Sequence, residues 1–132
     1  MAHDGRGIAD VDFYRLVVAG EIEESARFSG EVALIPMNSP CQIHPLIAQQ
    51  WRTRLKGRIV IAANLGYVPG WVHFSARTSG GHDIIAFLAQ HRPPGADETY
   101  GHGHRAASGG ALRPEDWRWF LRSLGFPAEV TA

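Results

Sequence analysis

The sequence predicts an α/β fold: a single domain in which a small mixed β-sheet of four or five strands carries flanking helices. Two observations predict it. Apolar runs of strand length alternate with stretches whose apolar residues recur at helical spacing, so strands and helices share one sheet. The chain has 132 residues, the length of one domain, which can bury a core without metal or disulfide staples. No internal repeat and no second domain is evident.

Each element has its own signal. Residues 1–12 are polar, hold two glycines and show no periodicity, so they read as an arm or linker, with the domain over 13–132. Phe13 to Ala19 is strand-like, with a helix through 13–28 as the alternative. Glu31 to Met37 is a short apolar run that fits a buried strand, and Pro36 places its end, or a sheet edge, there. Pro45 suits the first turn of a helix, where its missing N–H costs nothing. Ile47, Trp51 and Leu55 then follow at i, i+4, i+8, and Gly57 stops the helix.

Arg58 to Asn64 is a second apolar strand, Gly66 to Gly70 a turn, and Trp71 to Thr78 a third strand. In that strand Val72, Phe74 and Ala76 share one face, assigned to the core. Trp71, His73, Ser75 and Arg77 share the other. Asp83 is a good N-cap for a helix carrying Ile84, Phe87, Leu88 and His91, ended by Pro93-Pro94. Residues 93–104 read as a loop and Ala111-Leu112 as a short edge strand. Pro114, Glu115 and Asp116 open a last helix with Trp117, Phe120, Leu121 and Leu124 as its apolar stripe, capped by Gly125.

Composition excludes several classes. Thirteen basic and thirteen acidic residues balance to zero formal charge, unlike a histone-like binder or an acidic tail. Cys41 is the one cysteine, so neither an internal disulfide nor a multi-thiolate zinc site can form. No apolar run reaches the roughly 20 residues that span a bilayer, and the first residues lack a signal-peptide apolar core. The expected setting is cytoplasmic, with no membrane partner. Charge is uneven along the chain, however. Residues 1–31 hold seven acids against three arginines, whereas residues 32–96 hold six basic residues against Asp83 alone. The middle segment is therefore suited to present a positive face to an anion, unless the acidic N-terminal segment folds over it.

Two segments point to chemistry. Gly101 to Gly110 contains Gly101, Gly103, Gly109 and Gly110 with small Ala and Ser between them. Such a loop lets backbone approach a ligand closely, and its N–H groups can form an anion-binding nest beside His104. It lacks the Gly-Lys-Ser/Thr ending of a P-loop, which disfavours nucleoside-triphosphate hydrolysis. The second segment is Ser75-Ala76-Arg77-Thr78, where an Arg at a strand end beside a hydroxyl suits bidentate contact with phosphate.

Taken together, Ser75-x-Arg77-Thr78, then Asp83-Ile84 and Ala86, then Gly101-x-Gly103-His104-x-x-Ala107-Ser108-Gly109 resemble the DHH-associated domain. That is the C-terminal substrate-binding domain of DHH-family phosphoesterases, such as RecJ-like exonucleases and nanoRNA and cyclic-dinucleotide phosphodiesterases. The resemblance spans roughly residues 30–125. It implies a small mixed sheet with flanking helices, and it implies binding of phosphate-bearing ends of single-stranded nucleic acid or short oligonucleotides. By the same resemblance Ser75, Arg77, Gly101, Gly103, His104 and Gly109 are the phosphate-binding residues, with His73, Thr78, His102 and Arg105 as additional candidates. The chain departs from the family pattern at His102, where glycine is usual, and in a longer 93–100 stretch. In the family, catalysis belongs to a separate domain whose Asp-His-His motif helps hold two divalent metals. That motif is missing here, so the resemblance implies no catalytic residue, no metal and no cofactor in this chain, and no activity by the chain alone. A DHH catalytic domain would be its partner.

Two other readings compete. His82, Asp83, His102 and His104 could ligate Zn²⁺ or Mn²⁺ in a stand-alone metal-dependent hydrolase, although the i, i+2 histidine spacing matches no known ligand pattern. Alternatively, Trp119 lies about 200° around its helix from Trp117, off the apolar stripe. It would then dock a catalytic domain or a second copy of this chain, making the protein an interaction or homodimerisation module, unless it packs under Phe126 and Pro127.

Overall fold

A computed structural model describes residues 27–127. The arm over 1–12 and the strand expected over 13–19 lie outside them. Six strands form one mixed sheet: β1 (Arg27–Ser29), β2 (Val32–Met37), β3 (Ile59–Val68), β4 (Trp71–Thr78), β5 (His102–His104) and β6 (Ala107–Leu112), in the order β1-β2-β3-β4-β6-β5. Three helices flank it: α1 (His44–Arg54), α2 (Ile84–Gln90) and α3 (Pro114–Ser123). The mixed α/β architecture is the one expected, with six strands in place of four or five.

β2 and β3 run parallel, joined through α1, and every other neighbouring pair is antiparallel. Both faces of β2 and β3 are buried. Val32, Leu34, Ile59, Ile61 and Ala63 join one core cluster, while Ala33, Ile35, Met37, Val60 and Ala62 join the other. This is why their sequences are continuous apolar runs without alternation. Pro36 lies beyond the stretch of β2 that β1 pairs, Val32 to Leu34, so its missing N–H falls at a local edge.

α1 covers one face with Ile47 and Ala48 against Val60 and Ala62, and Trp51 and Leu55 packed alongside. α2 and α3 cover the other, where Ile84, Leu88, Trp117, Phe120 and Leu121 meet Val72, Phe74 and Ala76 of β4. The Phe74 ring stacks on Phe120 at 5.5 Å between centroids, and Trp117 stacks on Phe120 at 5.4 Å. Each such side chain contributes about 1.5–3 kcal/mol through removal of apolar surface from water. Asp83 caps α2 as expected, its Oδ1 accepting from the Ala86 N–H at 3.2 Å.

The glycine-rich segment differs from its expected form. It is a hairpin: β5 and β6 joined through Arg105-Ala106, with β6 interior to the sheet and β5 at the edge. Residues 107–109 pair with β4 on one side and β5 on the other, so their N–H groups serve the sheet and form no open nest. Gly109 is required by close approach, since a Cβ there would run into the Phe74 carbonyl oxygen.

Candidate functional site: a cleft beside α1

α1 follows β2 through a parallel crossover and so runs alongside β4 in the same direction. It packs over β3 and β4 and shares a core cluster with β2, and among the described residues it makes no comparable contact with β6 or β5. The step between helix and open sheet is a cleft of about 210 Å³, with His44 and Pro45 at one wall, Ser75 and Arg77 of β4, and Ala107 and Gly109 of β6.

Strand register explains which residues gather. Across the sheet Arg77 pairs with Ala107, which pairs with His104. Ser75 pairs with Gly109, which pairs with His102, and His73 pairs with Ala111. Directly opposed residues share a face, so His73, Ser75, Arg77, His102 and His104 all lie on the α1 side. Ala107, Gly109 and Ala111 make the floor between them low.

The expected site residues therefore fall into groups. Ser75, Arg77 and Gly109 line the cleft. His102 and His104 are exposed on the edge strand, about two strand spacings (~9.6 Å) from the β4 row. The His104 Nδ1 accepts from the Ala106 N–H at 3.4 Å. Gly101 and Gly103 shape the hairpin, both at positive φ, and the Gly101 N–H donates to the Gly109 carbonyl at 2.8 Å. Arg105 is exposed in the turn. Thr78 belongs to the opposite face by the same alternation that places Phe74 and Ala76 there. Its Oγ1 donates to the Arg58 carbonyl at 3.1 Å and accepts from the Gly80 N–H at 3.0 Å.

The rival sets are also placed. Among the described residues no three His, Cys, Asp or Glu side chains gather as a metal would need. His82 turns to the Gly57 carbonyl and to Glu31, while Asp83 caps α2. Trp119 is exposed, whereas Phe126 is buried.

Two of the lining side chains, Arg77 and His44, have distinct electrostatic surroundings. A terminal N–H of Arg77 donates to Gln49 Oε1, but its Nε is buried without a hydrogen-bond partner. Burial, and then the nearby Arg52 guanidinium, push the Arg77 pKa down. The Arg52 Nε is likewise buried and unpartnered. His44 is nearly inaccessible, at 5% exposure, and burial, with a smaller contribution from His73 behind it, lowers its pKa to about 4. Burial also lowers the pKa of His73. The Nδ1 atoms of both imidazoles are buried without partners. Four buried side-chain nitrogens without a protein partner thus lie on the facing elements α1 and β4.

Sequence reasoning missed His44, Gln49 and Arg52. The available signal was Pro45, which marks the start of α1 just beyond the C-terminal end of β2, where ligands of open α/β sheets collect.

No family model matches the chain, and no curated protein matches it. No helix among the described residues is long and apolar enough to cross a membrane.

Proposed function

We propose that the cleft binds the phosphate-bearing end of single-stranded nucleic acid or of a short oligonucleotide. In this reading the chain serves as the substrate-binding domain of a DHH-family phosphoesterase, and a separate domain holds the hydrolytic metals. The observation that carries it is Arg77: a partly buried guanidinium that lines the cleft beside a second guanidinium and has no acidic partner among the described residues. Two like charges brought together at a desolvated site are relieved by an anion, and the planar Arg fork matches phosphate oxygens. Ser75 adds a hydroxyl at the floor, and Gly109 leaves room for the phosphate to sit low. His104, across Ala107 from Arg77, closes on the same group from the rim.

The test is fluorescence anisotropy with a labelled oligonucleotide, with and without a 5′-phosphate. The phosphorylated form should bind more tightly, and added salt should weaken it as counterions compete. Arg77→Ala should cost on the order of 1–3 kcal/mol, the range of a charge-assisted hydrogen bond. Arg122→Ala, on α3 across the sheet, should change little. Equal losses in both variants would reduce the binding to diffuse electrostatics and remove the assigned site.

A further inference from the structure

A side-chain hydrogen bond joins α1 to β4 at the cleft. A terminal N–H of Arg77 donates to the Oε1 of Gln49, an exposed residue in the middle of α1. We infer that Gln49 is a positioning residue for anion binding: it orients the Arg77 guanidinium without neutralising it. The inference rests on the reading of the cleft as a phosphate site, because Gln49 acts through Arg77 and need not touch the ligand.

Three observations carry it. First, the acceptor is an amide where charge alone would select a carboxylate. Burial, and then the Arg52 guanidinium, disfavour the charge on Arg77, yet it has no acidic partner among the described residues. An amide oxygen accepts the hydrogen bond and leaves the positive charge for a ligand. A carboxylate would answer that charge within the protein and compete with an incoming anion. Second, the bond limits what the guanidinium presents. One Nη1 hydrogen goes to Gln49 and Nε is buried, so Nη2 and the second Nη1 hydrogen remain. These lie at the planar end that forks onto phosphate oxygens. An arginine ordered before the ligand arrives also loses less rotamer freedom on binding. Third, Gln49 is anchored through its helix and not through its side chain. Its neighbours Ile47 and Ala48 are buried in the cluster beneath α1. The Ser79 Oγ donates to the Arg52 carbonyl at 3.0 Å, which ties the last turn of α1 to the segment after β4. The Gln49 side chain itself is exposed, so its substitution leaves the core intact.

The test is fluorescence anisotropy on the full chain, with 5′-phosphorylated and unphosphorylated oligonucleotide over a salt series. The variants are Gln49→Met, Gln49→Glu and Arg77→Ala. Gln49→Met keeps the length and removes the acceptor. It should weaken the phosphorylated ligand roughly three- to ten-fold, the scale of one net hydrogen bond. Its slope of log affinity against log salt should match the wild type, because Arg77 still meets the phosphate. Gln49→Glu pairs Arg77 internally. It should weaken binding by more than about ten-fold and flatten the slope by about 0.7, one phosphate contact on a single strand. The urea midpoint of Gln49→Met should equal that of the wild type, which separates positioning from packing. Wild-type affinity in Gln49→Met would overturn the role of Gln49 and leave the phosphate reading to Arg77→Ala. Equal losses in Gln49→Met and Gln49→Glu with parallel slopes would also overturn it, since neutrality would then be irrelevant. A lowered urea midpoint in Gln49→Met would overturn it in favour of packing. No preference of the wild type for the 5′-phosphate, or unchanged affinity in Arg77→Ala, would overturn the phosphate reading and the role of Gln49 with it.

Discussion

The two faces of β4 are built by opposite rules. On one, Val72, Phe74 and Ala76 meet α2 and α3 in a layer of stacked aromatic rings. Its buried hydroxyls are satisfied: Tyr100 donates to the Leu88 carbonyl at 2.6 Å and Thr78 to the Arg58 carbonyl at 3.1 Å. On the other face, one residue along, His73 and Arg77 present buried nitrogens with no partner, and they face His44 and Arg52 of α1, which do the same. A single strand thus separates a close-packed apolar layer with satisfied hydroxyls from one that holds buried, unpartnered nitrogens beside a cleft. The difference teaches that the two faces of one strand can be finished to different degrees, and the proposed binding site is placed on the less finished one.

The largest expected effect breaks the closed face. Phe120 is fully buried between Phe74 and Trp117, so Phe120→Ala leaves a cavity that the stacked rings cannot fill. The loss should be about 3–5 kcal/mol, read as a lowered urea midpoint. Since the whole fold of a domain this size holds only about 5–15 kcal/mol, that variant should be near the edge of folding at 37 °C. A loss below about 1 kcal/mol would mean that the aromatic layer is loosely packed.

A middle-sized effect comes from the open face as pH falls. The ordinary histidine value is 6.5 and the folded His44 value is about 4. Between those pH values the unfolded chain takes up a proton that the folded chain refuses, so stability falls as pH drops from about 6.5 toward 4 and levels off below. His73 and His91, both lowered by burial, act in the same direction. Asp97, held below its ordinary value first by its side-chain hydrogen bond from Thr99, acts only below that window. Urea midpoints taken from pH 7.5 to 4.5 should decline for the wild type and decline less for His44→Phe. Parallel slopes would show that His44 is accessible to protons in the folded state.

How legible each face was in the sequence follows from its coverage. β4 stands at the boundary of α1, so its alternation is plain, and it correctly separates Phe74 from Ser75 and Arg77. β2 and β3 are covered on both sides and carry no alternation, yet their apolar runs still announce strands. β5, a three-residue His-Gly-His, is too short to show a period, and β6 was legible only at Ala111-Leu112 because glycine, serine and alanine fill the rest of it. Gly109 and Gly110 lie where a Cβ would run into Phe74 and Tyr100, so the segment carries a loop's composition within a sheet. β1 is three residues long and too short to show a period. The roles of His44 and Arg52 could not be read locally. Their meeting with His73 and Arg77 depends on the direction of the β2–α1–β3 crossover, a property of topology and not of any one segment.

The smallest expected effect is the sharpest on the comparison. If the open face exists for binding, Arg77 should be dispensable to the fold. Its charge is disfavoured by burial and by Arg52, its Nε is unpartnered, and its named side-chain partner is the neutral Gln49. Arg77→Met keeps most of the apolar stem, which packs along the cleft wall, and removes the repelled charge. Stability should stay within about 0.5 kcal/mol of the wild type and shift upward if at all, as for substitutions that touch no core or network. Oligonucleotide affinity should fall in the same variant. A residue that is free to the fold and costly to binding is a receptor residue. A stability loss above about 1 kcal/mol would instead make Arg77 part of the packing between α1 and β4, and the two faces of β4 would then differ only in degree.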